Sequence, residues 1–199
     1  MITTLILDRG HATLNEQGYY ATPGKQFIFP DKLHVYEGRE NQKYVEALAK
    51  YAIKAGFKVE YTVKPDNPVD ISLASRVTFA NTLKDSKTSL YLSIHNNAGG
   101  GKGTEVFTSI GQTKSDIFAE EIVNAITKAF PTRSMRLDTK DGDKDKEENF
   151  YVLKHTSMAA ILIEYGFFDN REDYDFLSNT TNIDLLAKAT INGITKVNK

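Results

Sequence analysis

Hydrophobic positions along this chain follow two periods. Residues 2–7 are a continuous apolar run broken only by threonines, the pattern of a strand buried on both faces. Residues 90–98 and 158–164 repeat that pattern, while residues 57–63 alternate apolar and polar side chains. Residues 104–108 and 150–153 read as two further short strands. Between the strands the period lengthens. Val45, Leu48, Ala49, Ala52 and Ile53 recur at three- and four-residue spacing, predicting a helix from near Glu37 that stops at Gly56. Residues 71–81 predict a second helix with Asp70 as its cap. Ile117, Ile122, Ala125, Ile126 and Ala129 mark a third, ended by Pro131, and residues 171–177 and 183–197 supply closing helices. Strands and helices alternate throughout, without repeats or linkers. That order predicts one α/β domain over residues 1–199, a three-layer α/β/α sandwich around a mostly parallel, mixed sheet.

Two stretches interrupt the alternation. Residues 12–32 hold Gly18, Pro23, Gly24 and Pro30 and read as a long loop, studded with Tyr19, Tyr20, Phe27 and Phe29 as a cleft wall would be. Residues 134–149 alternate acids with lysines: Asp138, Asp141, Asp143, Asp145, Glu147 and Glu148. A calcium loop of the EF-hand type needs a glycine at its sixth position and a distal glutamate. Counted from Asp138 or Asp141, Gly142 is misplaced, so the stretch reads as a solvated loop. Both loops are expected to flank the binding cleft.

Bulk properties exclude several classes. With 40% hydrophobic and 26% charged residues the chain is globular, and a net charge of −1 offers no general attraction to nucleic acid or an anionic surface. No apolar stretch approaches the about 18 residues of a membrane span. There is no cysteine, so a metal must be held by His, Asp or Glu. Met1 to Thr4 carries no basic segment before an apolar core, so synthesis in a cytoplasm without a signal peptide is expected.

The chemistry gathers at strand ends. Three apolar runs terminate in His11, His95 and Glu164, and the first long helix opens near Glu37. In open α/β sheets ligands bind at the carboxyl ends of strands. Catalytic zinc takes three protein ligands from His and carboxylate and keeps a fourth position open. Two histidines and Glu37 meet that requirement, leaving Glu164 as an unliganded carboxylate for proton transfer. Glu40, three residues on, competes with Glu37 for that role. Asp8 reads either as a turn former or as a hydrogen-bond partner of a ligand imidazole, the second being preferred. Gly10 permits a tight backbone before His11. His34 and His155 match no ligand position.

These motifs resemble, in order and over nearly the whole chain, the zinc-dependent N-acetylmuramoyl-L-alanine amidases of amidase family 3. Ile6-Leu7-Asp8-Arg9-Gly10-His11 resembles that family's opening strand and first zinc histidine. Glu37 with Asn41, the Ser72-Leu73-Ala74-Ser75-Arg76 helix, Ser93-Ile94-His95-Asn96-Asn97, Gly103-Thr104-Glu105-Val106 and Ile163-Glu164-Tyr165-Gly166 are similar to its later elements. Arg9 stands where the family usually has proline, Ala12 where it has glycine and Asn96 where alanine is common. The resemblance implies Zn2+ held by His11, Glu37 and His95, with Glu164 catalytic. It implies a peptidoglycan substrate cut between N-acetylmuramic acid and the L-alanine of the stem peptide. A catalytic domain without a visible leader or wall-binding module suggests a monomeric phage endolysin released through a holin. The alternatives are a zinc peptidase acting on stem peptides and a non-catalytic wall-binding protein of the same fold.

Overall fold

A computed structural model of the chain describes residues 1–83, 85–140 and 142–198; Asp141, one of the acids of the charged stretch, lies outside the described residues. In chain order the elements are β1 (Thr4–Arg9), β2 (Gln26–Ile28), β3 (His34–Tyr36), α1 (Glu37–Lys54), β4 (Lys58–Tyr61), α2 (Leu73–Thr82), β5 (Ser89–Asn97), β6 (Glu105–Thr108), α3 (Lys114–Ala129), β7 (Lys146–Glu147), α4 (Tyr151–His155), β8 (Ala159–Phe167), α5 (Arg171–Leu177) and α6 (Thr180–Val197). Six strands form a mixed sheet in the order β4-β1-β5-β8-β6-β7, parallel except where β6 meets β8. This is the predicted α/β/α sandwich. Among the described residues no helix is long and apolar enough to cross a membrane.

Because side chains alternate across a strand, each central strand feeds two environments. Leu5 and Leu7, Leu90, Leu92 and Ile94, and Ile161 and Ile163 point to one face, where Tyr44 and Leu48 of α1, Phe118 and Ile122 of α3 and Leu186 and Ile194 of α6 close over them. Ile6, Tyr91, Ala160, Leu162 and Phe107 point to the other, where among the described residues Val77 and Ala80 of α2, Val152 and Leu153 of α4, Met158 and Leu83 pack against them. Those short helices reach only part of the second face. Beyond them, toward the strand C-termini, the same face carries Asp8, Ser93, His95 and Glu164, with Asp8 opposite Ser93 and His95 opposite Glu164 in register.

Several local expectations change. The run at residues 150–153 is a helix turn, not a strand: Phe150 is the N-cap of α4, and Val152 and Leu153 pack with Val77 and Ala80. A four-residue apolar run fits either state, and packing against α2 decides it. The cap of α2 is Ser72, whose side chain accepts from the Ser75 N–H; Asp70 instead binds Arg76 and Thr22. The long loop is partly ordered by β2, which pairs antiparallel with β3. In the charged stretch β7 joins the sheet edge beside β6, and Asp145 is buried rather than solvated. Helix α1 ends as expected, with Gly56 at φ 91° following the C-cap Ala55.

Candidate active site

His11 leaves β1 in the left-handed region, at φ 63°, a conformation that costs a residue with a β-carbon. Three contacts hold it there. The Arg9 side chain, wholly buried, donates through Nε to the His11 carbonyl (3.2 Å) and through its other nitrogens to the carbonyls of Pro65 (2.8 Å) and Val69 (3.2 Å). The Ala12 N–H donates to Thr22 Oγ1 at 2.9 Å. Gly38, in the first turn of α1, sits so close that a β-carbon there would lie 1.7 Å from the Ala12 carbonyl oxygen. Gly10 serves a different purpose from the one expected. A β-carbon at Gly10 would lie 2.2 Å from Cε1 of His95, so it is the approach of that ring that requires glycine. The strained turn itself belongs to His11.

Glu37, the first residue of α1, places its carboxylate between the two rings. Its Oε1 lies 3.3 Å from His11 Nε2 and 3.0 Å from His95 Nδ1, and its Oε2 lies 3.6 Å from Lys25 Nζ. One ligand atom from each of His11, Glu37 and His95 can be chosen so that all lie within 4.8 Å of one another; among the described residues no other group of three or more His, Asp or Glu does this. Burial works against the Glu37 carboxylate, but its contacts with His11 and His95 outweigh it and hold its pKa well below the usual carboxylate range. Burial pushes the pKa of His11 down; for His95 the carboxylates of Glu37 and Glu164 overcome burial and raise it. Glu40 is turned away and binds Lys43 at 2.6 Å. His34 is exposed, bonded to Gln26 and Tyr36, and His155 is exposed beside Tyr151.

The donor set suits a metal. Two imidazoles and a carboxylate form a His/Glu set of the kind catalytic zinc takes. His11 Nε2 is buried and makes no hydrogen bond, so its lone pair is free to coordinate an ion. On these grounds the residues fit zinc.

Glu164 faces the trio from the neighbouring strand. Its Oε2 is buried with no hydrogen-bond partner, and burial in the apolar end of β8 pushes its pKa up to about 8 against the opposing pull of His95. His11, His95 and Glu164 open into a cleft of about 640 Å3 whose other walls include Lys25, Arg76, Leu73, Phe150 and Tyr151. Of the two loops expected at the cleft, residues 12–32 contribute Lys25. No described residue of 134–149 lines it; Phe150 and Tyr151, just beyond, do.

Asp8 is not a partner of either imidazole. Its carboxylate accepts from Arg76 Nη1 (2.7 Å), Ser93 Oγ (2.8 Å) and Thr62 Oγ1, and Arg76 also binds Asp70 at 2.9 Å. This ion cluster ties β1, β5 and the start of α2 together below the site. Sequence reasoning missed three positioning groups: Arg9, Lys25, and the pair of buried amides beneath Glu37. Asn96 Nδ2 donates to Asn41 Oδ1 (2.8 Å), while Asn41 Nδ2 points at the Gly10 carbonyl (3.0 Å) and Glu37 Oε1 (3.4 Å). Asn41 was visible as an offset from Glu37. Nothing in the pattern marked Lys25.

Comparison with known proteins settles the family. A family described as N-acetylmuramoyl-L-alanine amidase matches residues 5–196. The chain belongs to the N-acetylmuramoyl-L-alanine amidase family. It is 35% identical over 131 residues, 63% of this chain and 46% of the relative, to the N-acetylmuramoyl-L-alanine amidase CwlM of Bacillus licheniformis. It is 27% identical over 149 residues, 74% of this chain and 53% of the relative, to the endolysin of Bacillus phage SPP1. The chain thus spans about half the length of these relatives. The same fold occurs in an N-acetylmuramoyl-L-alanine amidase from Clostridium difficile 630, with a TM-score of 0.79 at 24% identity over 98% of this chain and 96% of that one.

Proposed function

We propose that this amidase-family domain cleaves the amide between N-acetylmuramic acid and the L-alanine of the stem peptide in peptidoglycan. The observation that carries the reading is the convergence of His11, Glu37 and His95 on one point of the cleft, with Glu164 opposite His95 in strand register. His11, Glu37 and His95 are the residues that hold zinc. Bound there, zinc supplies Lewis acidity and makes water a usable nucleophile near neutral pH. Glu164 accepts the proton of the attacking water and delivers it to the leaving amine nitrogen, a task that suits a carboxylate with an unengaged oxygen at the cleft floor. Lys25 offsets the charge of Glu37 from the cleft side. Asn41 and Asn96 fix the Glu37 carboxylate from below, and Arg9 holds the strained backbone of His11.

The place of action is the bacterial cell wall, and the likeness to a protein named endolysin supports a lytic role; release through a holin and action as a monomer are part of the same proposal. Purified sacculi test the activity. Digestion of sacculi releases stem peptides beginning with a new N-terminal alanine, identified by mass spectrometry, in proportion to bound zinc. Products cut only within the stem peptide make the protein a peptidase, and binding without products makes it a wall-binding module. Expression with and without a holin tests the lytic role: lysis that needs no holin removes that part of the reading.

A further inference from the structure

The charged stretch between α3 and α4 looks self-neutralising in sequence, acids alternating with lysines. In the structure it is not. Lys140 goes to Asp138 (3.6 Å), Lys144 to Glu120 (2.6 Å) and Lys146 to Glu105 (2.5 Å). Among the described residues no Lys, Arg or His nitrogen comes within 4.0 Å of the carboxylates of Asp143, Asp145 or Glu147. Asp145 is 1% exposed, its Oδ2 accepts from Thr108 Oγ1 (2.6 Å), and its Oδ1 has no partner. A second buried oxygen without a partner, Oδ1 of Asp143, lies two residues away. Asp138, Asp145 and Glu147 line a separate cavity of about 310 Å3, together with Ile110 and Lys140. A buried carboxylate without a cation is strongly disfavoured, so something must compensate Asp145.

We infer that Asp138, Asp145 and Glu147 form a divalent-cation site with all-oxygen ligands, suited to calcium, that fastens the loop between α3 and α4 to the sheet edge. Calcium takes six to eight oxygens at 2.3–2.6 Å in flexible geometry and tolerates several waters among them. The spacing is not that of an EF-hand; Asp143 and Asp145 lie in a bent segment that runs into β7, where Glu147 joins the sheet edge. The three cavity carboxylates do not lie within 4.8 Å of one another, so the site is not preformed. Binding draws in Asp138, whose side chain is 39% exposed and held only by Lys140, itself 91% exposed. An unformed, partly solvated site of this kind binds in the range of about 10⁻⁴–10⁻³ M. Burial and the neighbouring Asp143 and Asp116 also push the Asp145 pKa up to about 7, so a proton is the competing occupant. The fastened loop leads directly into Phe150 and Tyr151 of the cleft wall.

The test uses the whole chain saturated with zinc, at pH 8 and constant ionic strength, titrated with CaCl2 and, separately, MgCl2. Calcium at about 10 mM should raise the melting temperature by about 3–11 °C across that affinity range, with magnesium doing less. Asp145→Asn should abolish the calcium response while melting no lower than the parent without calcium, because the amide still accepts from Thr108 and removes the buried charge. Glu147→Gln, if the first variant does not fold, should lose the response as well. A parent that ignores calcium, or a response surviving in both variants, overturns the proposal. So does stabilisation on lowering the pH from 8 to 6 with no effect of either cation, which makes the occupant a proton.

Discussion

The two faces of the central sheet are built by the same strands and differ in what covers them. On one face α1, α3 and α6 bury a continuous apolar cluster. On the other α2 and the single-turn α4 cover only part of the strands, and the uncovered part holds Asp8, Ser93, His95 and Glu164. A strand with period two thus serves stability with one set of residues and chemistry with the other. Ile94 and Ile163 seal the core directly behind His95 and Glu164, so the side chains of the site stand on rigid backbone. Substitutions on the two faces should therefore fail in different ways.

The largest effects belong to the open face. His95→Ala should abolish bound zinc and amide cleavage together while leaving the fold intact. Glu37→Gln should lose metal and Glu40→Gln should keep it, since only Glu37 sits between the imidazoles. Metal analysis of the three variants decides this, and zinc retained by His95→Ala at parental affinity overturns the ligand set. Next comes Glu164→Gln, which keeps the shape of the site and removes the basic oxygen. Zinc stoichiometry should be unchanged and turnover on sacculi should fall on the order of 10²–10⁴-fold. Loss of zinc in this variant would make Glu164 a ligand instead.

The closed face should respond in stability alone. Ile161→Ala removes a fully buried side chain between sheet and helices and should cost about 2–5 kcal/mol in denaturant unfolding, with zinc affinity little changed. Asp8 lies on the open face but behaves structurally. Burial disfavours its charge, yet Arg76 and the hydroxyls of Thr62 and Ser93 outweigh that and hold its pKa below 3.8. A lowered carboxylate pKa gives stability that is fully present above the unfolded value and lost as pH falls through the folded one. The parent should therefore lose stability steeply below about pH 4, whereas Asp8→Asn, already weakened by about 3 kcal/mol with Arg76 left to the partly exposed Asp70 as its one carboxylate partner, should lose less over the same range. Parallel acid titrations with equal slopes would remove Asp8 from this account.

The same contrast explains what could be read from sequence. The closed face was legible because burial writes itself as periodicity: the runs at residues 2–7, 90–98 and 158–164 and the stripe from Val45 to Ile53 all became the predicted elements. His11, Glu37, His95 and Glu164 were legible because each ends or begins such an element. What was not legible depends on contacts between distant segments. Residues 150–153 became helical because α2 lies beside them, and Asp8 turned to Arg76, 68 residues away, rather than to an imidazole. Arg9 stood out in sequence only as a residue in the place of the family's usual proline; only the fold brings the Pro65 and Val69 carbonyls to it and buries it. Burial also disfavours its charge, lowering its pKa to about 10.

The smallest expected effect probes how firmly the open face is held from beneath. Asn96 lies on β5 next to His95 but points into the core side, where its amide donates to Asn41, and Asn41 in turn points at Glu37. The arrangement is incomplete, because Asn96 Oδ1 is buried and has no partner. Asn96→Ala removes that unsatisfied oxygen but also leaves Asn41 Oδ1 buried without its donor. Stability should therefore fall by about 1–3 kcal/mol. Zinc affinity should still weaken by about 10-fold, the lower end of what losing a group behind a ligand costs, since Asn41 is then free to rotate away from Glu37 Oε1. Asn41→Ala deletes the direct contact and should weaken zinc more, with a stability loss from the orphaned Gly10 carbonyl. If Asn96→Ala binds zinc as the parent does while Asn41→Ala does not, Asn41 alone holds Glu37 and Asn96 is packing. Equal losses in the two variants would instead make the pair a single unit.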